Sequence, residues 1–305
     1  MIIITSIVPE FLIESFTKKG YKVLYDPEIT YEVLSEKIKE AVGLIVTTRI
    51  KVDKLLLEKA SKLKWIGRLG SGLELIDLDF AKKKGIKCLS TPEGNRNAVA
   101  EHSLGLLLSL MQNIHKSSIE VSKLQWLREE NRGVELDGKT VGIIGFGNTG
   151  KRFAEIVTCL NATVLAYDKY KFDFGAGKIK EANLKQICKY CDVISFNLPL
   201  TDETLHFANE DFFSQLKSKP IIINASRGKV IKTSALIHAL KHDLVSGAGL
   251  DVLENEKLKT FNKEEKKELK FLLTQPNVIV TPHIAGYSAE AFKKMSEVLL
   301  KKLKI

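Results

Sequence analysis

Thr140-Val141-Gly142-Ile143-Ile144 is a short run of apolar and β-branched residues that passes without a break into Gly145-Phe146-Gly147-Asn148-Thr149-Gly150. Residues 151–160 then carry the apolar spacing of a helix. A G-x-G-x-x-G spacing alone says little, because glycine-rich turns are common. Between a strand and a helix it has a mechanism: glycines let the backbone approach a pyrophosphate, and the helix N-terminus offers free N–H groups and the positive end of its dipole. The next expected strand, 163–167, ends at Asp168. A carboxylate there can accept hydrogen bonds from both ribose hydroxyls of an adenosine and repels a 2′-phosphate, so the pattern favours NAD over NADP. Gly145, Gly147, Gly150 and Asp168 are therefore the expected cofactor-binding residues.

Working outward, further strands are expected at 193–196, 221–224, 246–250 and 278–280. Toward the N-terminus, strands at 2–7, 22–25, 43–47 and 65–68 alternate with helices at 11–19, 31–41, 52–61 and 77–84. Such alternation indicates parallel sheets covered on both faces, an α/β fold with two doubly wound domains. Residues 99–126 contain no Pro, and Leu104, Leu107, Leu108, Met111 and Ile114 are spaced for one face of a single long helix between the domains.

Composition agrees with two domains. A chain of 305 residues, 44% hydrophobic and 28% charged, is long enough for two cores at roughly 100–200 residues per domain. With 20 Gly lacking a period, 7 Pro and 4 Cys, collagen-like, mucin-like and disulfide-framework classes are excluded. The longest apolar stretches, 1–8 and 104–111, fall short of the roughly 18–20 residues a membrane span needs. Residues 1–8 also lack a basic n-region and run into Pro9-Glu10, unlike a secretory signal, so a cytoplasmic location is expected. Lys+Arg of 47 against Asp+Glu of 37 gives +10, but cations and acids interleave as on solvated helix faces, for example at 36–40 and 264–268. The expected partners are small anions, with neither nucleic acid nor membrane. Cys188-Lys189-Tyr190-Cys191 has no second pair to complete a zinc site, so no metal is expected. Cys88 and Cys159 read as buried small residues.

In an open parallel sheet, ligands bind beyond the carboxyl ends of the strands. Three strand ends carry chemistry: 221–224 leads into Ala225-Ser226-Arg227-Gly228, 247–250 into Asp251 with Glu256 beyond it, and 278–280 into Thr281-Pro282-His283. Singly, His283 fits a packed histidine and Glu256 the start of a charged loop at 254–259. Together they fit hydride transfer to or from a hydroxy acid, which needs a base for the hydroxyl proton, an acid to stabilise that base when protonated, and a cation for the carboxylate. His283, Glu256 and Arg227 are the catalytic candidates in those roles.

These residues, with Gly67-Arg68-Leu69-Gly70-Ser71-Gly72, NRNAVAEH at 95–102, Asn197-Leu198-Pro199-Leu200-Thr201, NASRG at 224–228, GAGLDVLENE at 247–256 and TPHIAG at 281–286, resemble the D-isomer-specific 2-hydroxyacid dehydrogenase family in order over most of the chain. The resemblance implies a Rossmann NAD domain at 98–286 inserted into a flavodoxin-like substrate domain made of 1–97 and 287–305. It also implies a site in a cleft that closes on the substrate, and a homodimer through the NAD domain to which residues 99–126 contribute. Asn148 and Thr149 would touch the pyrophosphate, and Pro199, Thr204, Ala225, Arg227, Asp251 and Gly286 would join the cofactor site. Arg227 and the N–H groups of Ser71 and Gly72 would bind the substrate carboxylate.

Arg68 in the GRxGxG turn resembles 3-phosphoglycerate dehydrogenases, with Arg49 and Lys51 where a phosphate would be met, although Thr47-Thr48 stands where that group often has Arg-Ser. The expected reaction is therefore interconversion of 3-phosphoglycerate and 3-phosphohydroxypyruvate, a step of serine biosynthesis, by a form lacking a C-terminal regulatory domain. Glyoxylate, hydroxypyruvate and D-lactate type reduction are alternatives. Erythronate-4-phosphate oxidation is another, because His283-Ile284-Ala285-Gly286-Tyr287 is similar to that group. Lys257 replaces the Pro usual after the acid, and Glu256 replaces the Gln of formate dehydrogenases. A non-enzymatic relative of this fold, an NAD-sensing corepressor, is the alternative of another class.

Overall fold

The computed structural model describes all 305 residues. In chain order the elements are β1 (Ile2–Ile4), α1 (Glu10–Lys18), β2 (Val23–Tyr25), α2 (Tyr31–Lys37), β3 (Gly43–Val46), α3 (Lys54–Lys59), β4 (Trp65–Arg68), α4 (Leu78–Lys83), β5 (Lys87–Ser90), α5 (Pro92–Met111) and α6 (Ile114–Ser122). They continue with β6 (Thr140–Ile144), α7 (Asn148–Cys159), β7 (Thr163–Tyr167), β8 (Ile179–Glu181), α8 (Leu184–Tyr190), β9 (Val193–Phe196), α9 (Glu210–Ser214), β10 (Ile221–Asn224), α10 (Thr233–Lys241), β11 (Gly247–Leu250), α11 (Lys263–Thr274), β12 (Val278–Val280) and α12 (Ala289–Leu303). Two compact units result, one of Met1–Arg96 with Gly286–Ile305, the other of Asn97–Ala285.

The first unit holds a five-stranded parallel sheet in the order β2-β1-β3-β4-β5. This is the flavodoxin-like doubly wound order. Its central strands are apolar throughout because both faces are covered: Ile2, Ile3 and Ile4 are fully buried, as are Leu44 and Ile45. Each such side chain contributes about 1.5–3 kcal/mol of hydrophobic stabilisation. The C-terminal segment completes this unit. Leu299 of α12 fills the space a Cβ at Gly67 would take, and the backbone of Met295 lies where a Cβ at Gly94 would fall. The ammonium of Lys302 donates to Ser90 O at 2.8 Å and pairs with Glu93 at 2.8 Å.

The second unit holds seven parallel strands in the order β12-β11-β10-β9-β6-β7-β8. The chain starts in the middle at β6, moves outward through β7 and β8, then returns to β9 on the other side. The order reverses between β6 and β9, the kind of switch point at which dinucleotides bind. One face is covered by α5 and α7, whose Leu106, Leu107, Phe153 and Val157 pack with Val141 and Ile143. The other face carries α8, α9 and α10, with Ile187, Phe213 and Leu236 packed with Ile194 and Ile222.

Three expectations change. The single helix at 99–126 is two: α5 begins earlier, at Pro92, and ends at Met111, and α6 starts after Asn113. Pro suits a first helical position, where no N–H is needed, but the polar residues behind it hid the start. Asn113 adopts the left-handed conformation (φ 51°), which Asn tolerates better than most residues, and this breaks the ladder. Strands β5 and β8 went unseen because they are edge strands with exposed polar positions. Cys159 is exposed on the last turn of α7 and Cys88 is half-buried, so neither is the buried small residue expected. No helix is long and apolar enough to cross a membrane.

Candidate active site

The glycine turn after β6 assigns each glycine a distinct task. Gly145 has φ +95°, and a Cβ there would lie 2.4 Å from Asn197 O, so only glycine makes this tight turn. A Cβ at Gly150 would lie 2.0 Å from Gly145 O, so glycine lets α7 pack directly on the turn. Nothing lies within 4 Å of a Cβ at Gly147. The space over Gly147 is open, and α7 begins at Asn148 with no side chain capping its N–H groups. Thr149 follows in the first turn of that helix. This is the cradle a pyrophosphate needs.

Asp168, at the end of β7, is fixed against the same turn. Its Oδ2 accepts the Phe146 N–H at 2.9 Å and its Oδ1 accepts the Tyr170 N–H at 3.0 Å. Beyond β9, the Thr204 hydroxyl donates to Pro199 O at 2.6 Å and accepts the Thr201 N–H at 2.8 Å, bracing the loop that carries Pro199. The residues present therefore fit NAD: open glycine backbone, an uncapped helix start and an oriented carboxylate.

The three loops beyond β10, β11 and β12 are shaped by buried polar groups. Asn224, 1% exposed, folds the first: its Oδ1 accepts the N–H and hydroxyl of Ser226 at 3.0 and 2.8 Å, and its Nδ2 donates to Arg227 O at 3.0 Å. Arg227 follows half-buried Ala225 and Ser226 in extended backbone, its Nη1 on Ser226 O at 2.7 Å. A Cβ at Gly228 would lie 1.8 Å from Leu253 O, so this glycine brings the Arg227 loop into backbone contact with the loop leading to Glu256. That second loop is anchored by Glu254, which meets His206 Nε2 at 2.6 Å and accepts the Thr233 N–H at 2.5 Å. Lys257 N–H donates to Asn255 Oδ1 at 3.0 Å. Proline cannot make that bond, which accounts for the chain's path at this departure from the family pattern.

His283 Nδ1 stands 2.9 Å from Glu256 Oε2, so two of the catalytic candidates are in direct contact. His283 is held in the left-handed region (φ 56°), uncommon for a residue other than glycine and a form of strain often found at functional sites. Its N–H donates to Asp251 O and Thr281 O at 2.8 and 3.0 Å. Asp251, fully buried at the end of β11, staples the rest of the loop. Its Oδ1 accepts the Thr281 hydroxyl at 2.6 Å and the Ile284 N–H at 2.9 Å, and its Oδ2 accepts the Ala285 N–H at 2.8 Å. The resemblance implies a place for Asp251 at the nicotinamide end, and its carboxylate also holds the loop that carries His283. His102 of α5 completes the arrangement, with Nε2 3.0 Å from the Thr281 hydroxyl. Neither His102 nor Thr281 was a candidate from sequence, although both lie in quoted motifs.

Of the expected substrate residues, Arg227 lies in the second unit, and Arg49, Arg68, Ser71 and Gly72 lie in the first. Arg49 donates to Thr5 O at 3.0 Å, and Arg68 Nη1 donates to Leu69 O at 2.9 Å. The Ser71 hydroxyl donates to Asn95 Oδ1 at 3.1 Å, with Gly72 next in the same turn. Gly286, expected in the cofactor domain, begins the second segment of the first unit. Burial pushes the Cys191 thiol up to about 12 and raises that of Cys188, so burial disfavours the thiolate form of both.

Residues 104–285 match the sequence model described as "D-isomer specific 2-hydroxyacid dehydrogenase, NAD binding domain". The chain is 34% identical over 281 residues to a D-3-phosphoglycerate dehydrogenase of Methanocaldococcus jannaschii, covering 90% of this chain and 52% of that protein. It thus spans about half the length of that relative. It is also 34% identical over 281 residues to a hydroxypyruvate reductase of Thermotoga maritima, covering 90% of each. Among solved structures it is similar to a D-lactate dehydrogenase from Aquifex aeolicus complexed with NAD and lactic acid, at TM-score 0.86 and 31% identity, over 100% of this chain and 94% of that one.

Proposed function

The chain belongs to the D-isomer-specific 2-hydroxyacid dehydrogenase family, and from that premise we propose that it interconverts a D-2-hydroxy acid and its 2-keto acid with NAD. The observation that carries this reading is the His283–Glu256 pair at 2.9 Å on the rim that also bears Arg227. When bound, NAD supplies or accepts the hydride at the substrate's C2. Glu256 accepts the hydrogen of His283 Nδ1, which leaves Nε2 as the atom that passes a proton to the forming hydroxyl in reduction and takes it back in oxidation. Negative charge on Glu256 stabilises the imidazolium and fixes the ring's orientation. Arg227 offers a planar fork of N–H donors for the substrate carboxylate. Asp251 keeps His283 in place by accepting the Thr281 hydroxyl before it and the Ile284 and Ala285 N–H groups after it.

As substrate we favour the 3-phosphoglycerate/3-phosphohydroxypyruvate pair, supported by Arg68 in its glycine turn and by the similarity to phosphoglycerate dehydrogenases. A second reading, reduction of unphosphorylated hydroxypyruvate, draws support from the match to a hydroxypyruvate reductase over 90% of both chains and from the engagement of Arg49 and Arg68 on backbone carbonyls. NADH oxidation followed with 3-phosphohydroxypyruvate, hydroxypyruvate, glyoxylate and pyruvate in parallel ranks these readings by kcat/KM. NADH binding without turnover of any of the four would instead support a nucleotide sensor. His283→Ala is expected to lower turnover by on the order of 10³-fold or more while retaining NADH binding. Unchanged turnover would remove His283 from its role. We also propose a homodimer through the second unit, because Ile114, Leu124 and Trp126 are exposed close together in sequence and Leu124 is 96% exposed. Light scattering tests it, with Leu124→Asp expected to give monomers.

A further inference from the structure

We propose that Glu203 acts as a second NAD-selecting carboxylate, by holding Lys169 away from the place a 2′-phosphate would occupy. The inference rests on the NAD reading above and adds a residue that the glycine-turn pattern does not contain. In the second sheet β7 and β9 flank β6. Glu203, in the loop beyond β9, therefore crosses the end of β6 and its glycine turn to reach the loop beyond β7. Its Oε1 lies 2.8 Å from Lys169 Nζ, and its Oε2 accepts the Tyr170 hydroxyl at 2.6 Å.

Lys169 directly follows Asp168, the residue whose carboxylate is fixed against the glycine turn and is expected to meet the ribose. A cation beside that position is what accommodates the extra phosphate of NADP. Here the cation has a partner. Its ammonium is bonded to Glu203 and lies 5.5 Å from the centre of the Tyr170 ring. The other nearby lysine, Lys171, donates to Phe146 O at 2.9 Å and is likewise engaged. A 2′-phosphate would then meet Asp168 and Glu203 with no available counter-charge, whereas two ribose hydroxyls would meet an acceptor they can use.

Glu203 is also well supported for this task. The bracing of its loop by Thr204 fixes where the carboxylate projects. Bonds from Lys169 and Tyr170 hold its carboxyl below the usual carboxylate range, so it stays ionised, and Glu203 in turn raises Lys169. An exposed pair of this kind is individually weak. Cofactor choice, however, is a difference between two affinities, so a small change in the availability of one cation is read directly.

The test measures dissociation constants for NADH and NADPH by titration calorimetry on the full chain, which requires no turnover. Glu203→Gln keeps an acceptor for Tyr170 but removes the charge that holds Lys169. The ratio of the NADPH to the NADH constant is expected to fall about tenfold in that variant, and to return to its original value when Lys169→Met is added. Lys169→Met alone is expected to leave the ratio within about twofold, because the lysine is already engaged. An unchanged ratio in Glu203→Gln, a gain that survives removal of Lys169, or a ratio that rises in Lys169→Met alone would each overturn the inference. Failure of the unmodified chain to bind either nucleotide would overturn the NAD reading, and this inference with it.

Discussion

Two glycine-rich turns leave parallel strands in this molecule, one after β4 at 67–72 and one after β6 at 145–150, and on paper they look alike. After β6 the space over Gly147 is open and an uncapped helix begins at once. After β4 the corresponding volume is filled: a Cβ at Gly70 (φ +146°) would lie 1.0 Å from Arg68 Nη1. The Gly70 N–H is bonded to the Thr91 hydroxyl at 3.0 Å, and the next helix, α4, starts only at Leu78 with Asp77 capping it. One turn presents a helix dipole and bare N–H groups. The other presents a guanidinium folded over its own backbone. Glycine spacing therefore does not make a phosphate cradle by itself; what fills the missing Cβ volumes, and whether a helix starts there, does.

The largest effect that would break this comparison is expected from Gly150→Ala. Its methyl group would meet backbone, which cannot move aside cheaply, so we expect about 3 kcal/mol of destabilisation and a fall in melting temperature on the order of 10 °C, with NADH binding lost. Calorimetric melting at the original temperature would mean that turn and helix are not in backbone contact. Thr91→Val comes next. Thr91 is fully buried, accepts the Gly70 N–H and donates to Arg68 O at 3.2 Å. Leaving that N–H unpaired is expected to cost about 2 kcal/mol in urea unfolding, with NADH affinity retained because the other turn is untouched.

Gly70→Ala is smaller, about 1.5 kcal/mol, because φ +146° strains any residue but glycine, while the atom its methyl group displaces is the end of a flexible side chain. Only the part of that cost due to the guanidinium should vanish in an Arg68→Ala background, and additive costs in the double-mutant cycle would show that Arg68 does not fill the volume. The smallest change in stability belongs to Gly147→Ala, within about 0.5 kcal/mol. Titration calorimetry should nevertheless read a weaker NADH complex. Unaltered binding would show that the open space is not where the cofactor's phosphates approach.

Much of this could be read along the chain, for identifiable reasons. Buried parallel strands such as Ile2–Ile4 and Ile221–Asn224 announce themselves as apolar runs, and their ends locate the rim. Asn113 could not be read that way: the apolar positions continue in phase through Met111 and Ile114, so a left-handed residue breaks the helix without disturbing the pattern. The same limit applies in the site. His283 and Glu256 are legible because their loops follow strands, whereas Asp251 as a staple, His102 behind Thr281 and Glu254 on His206 depend on which atoms meet after folding. Arg68 shows the limit most clearly, as its charge was legible and its direction was not.

The return of α12 to the first unit has a consequence for synthesis. Lys302 bonds Ser90, a residue 212 positions earlier. Ribosomal emergence and folding usually run in the same order, N-terminal part first. Here the unit that emerges first has to wait, with the edge strand β5 and the Gly94 region uncovered, until residues beyond 289 have been made. The second unit is continuous from Asn97 to Ala285 and can close its sheet in the meantime. For this chain the nucleotide unit should be the first to become protease-resistant during translation, and the unit that needs α12 the last.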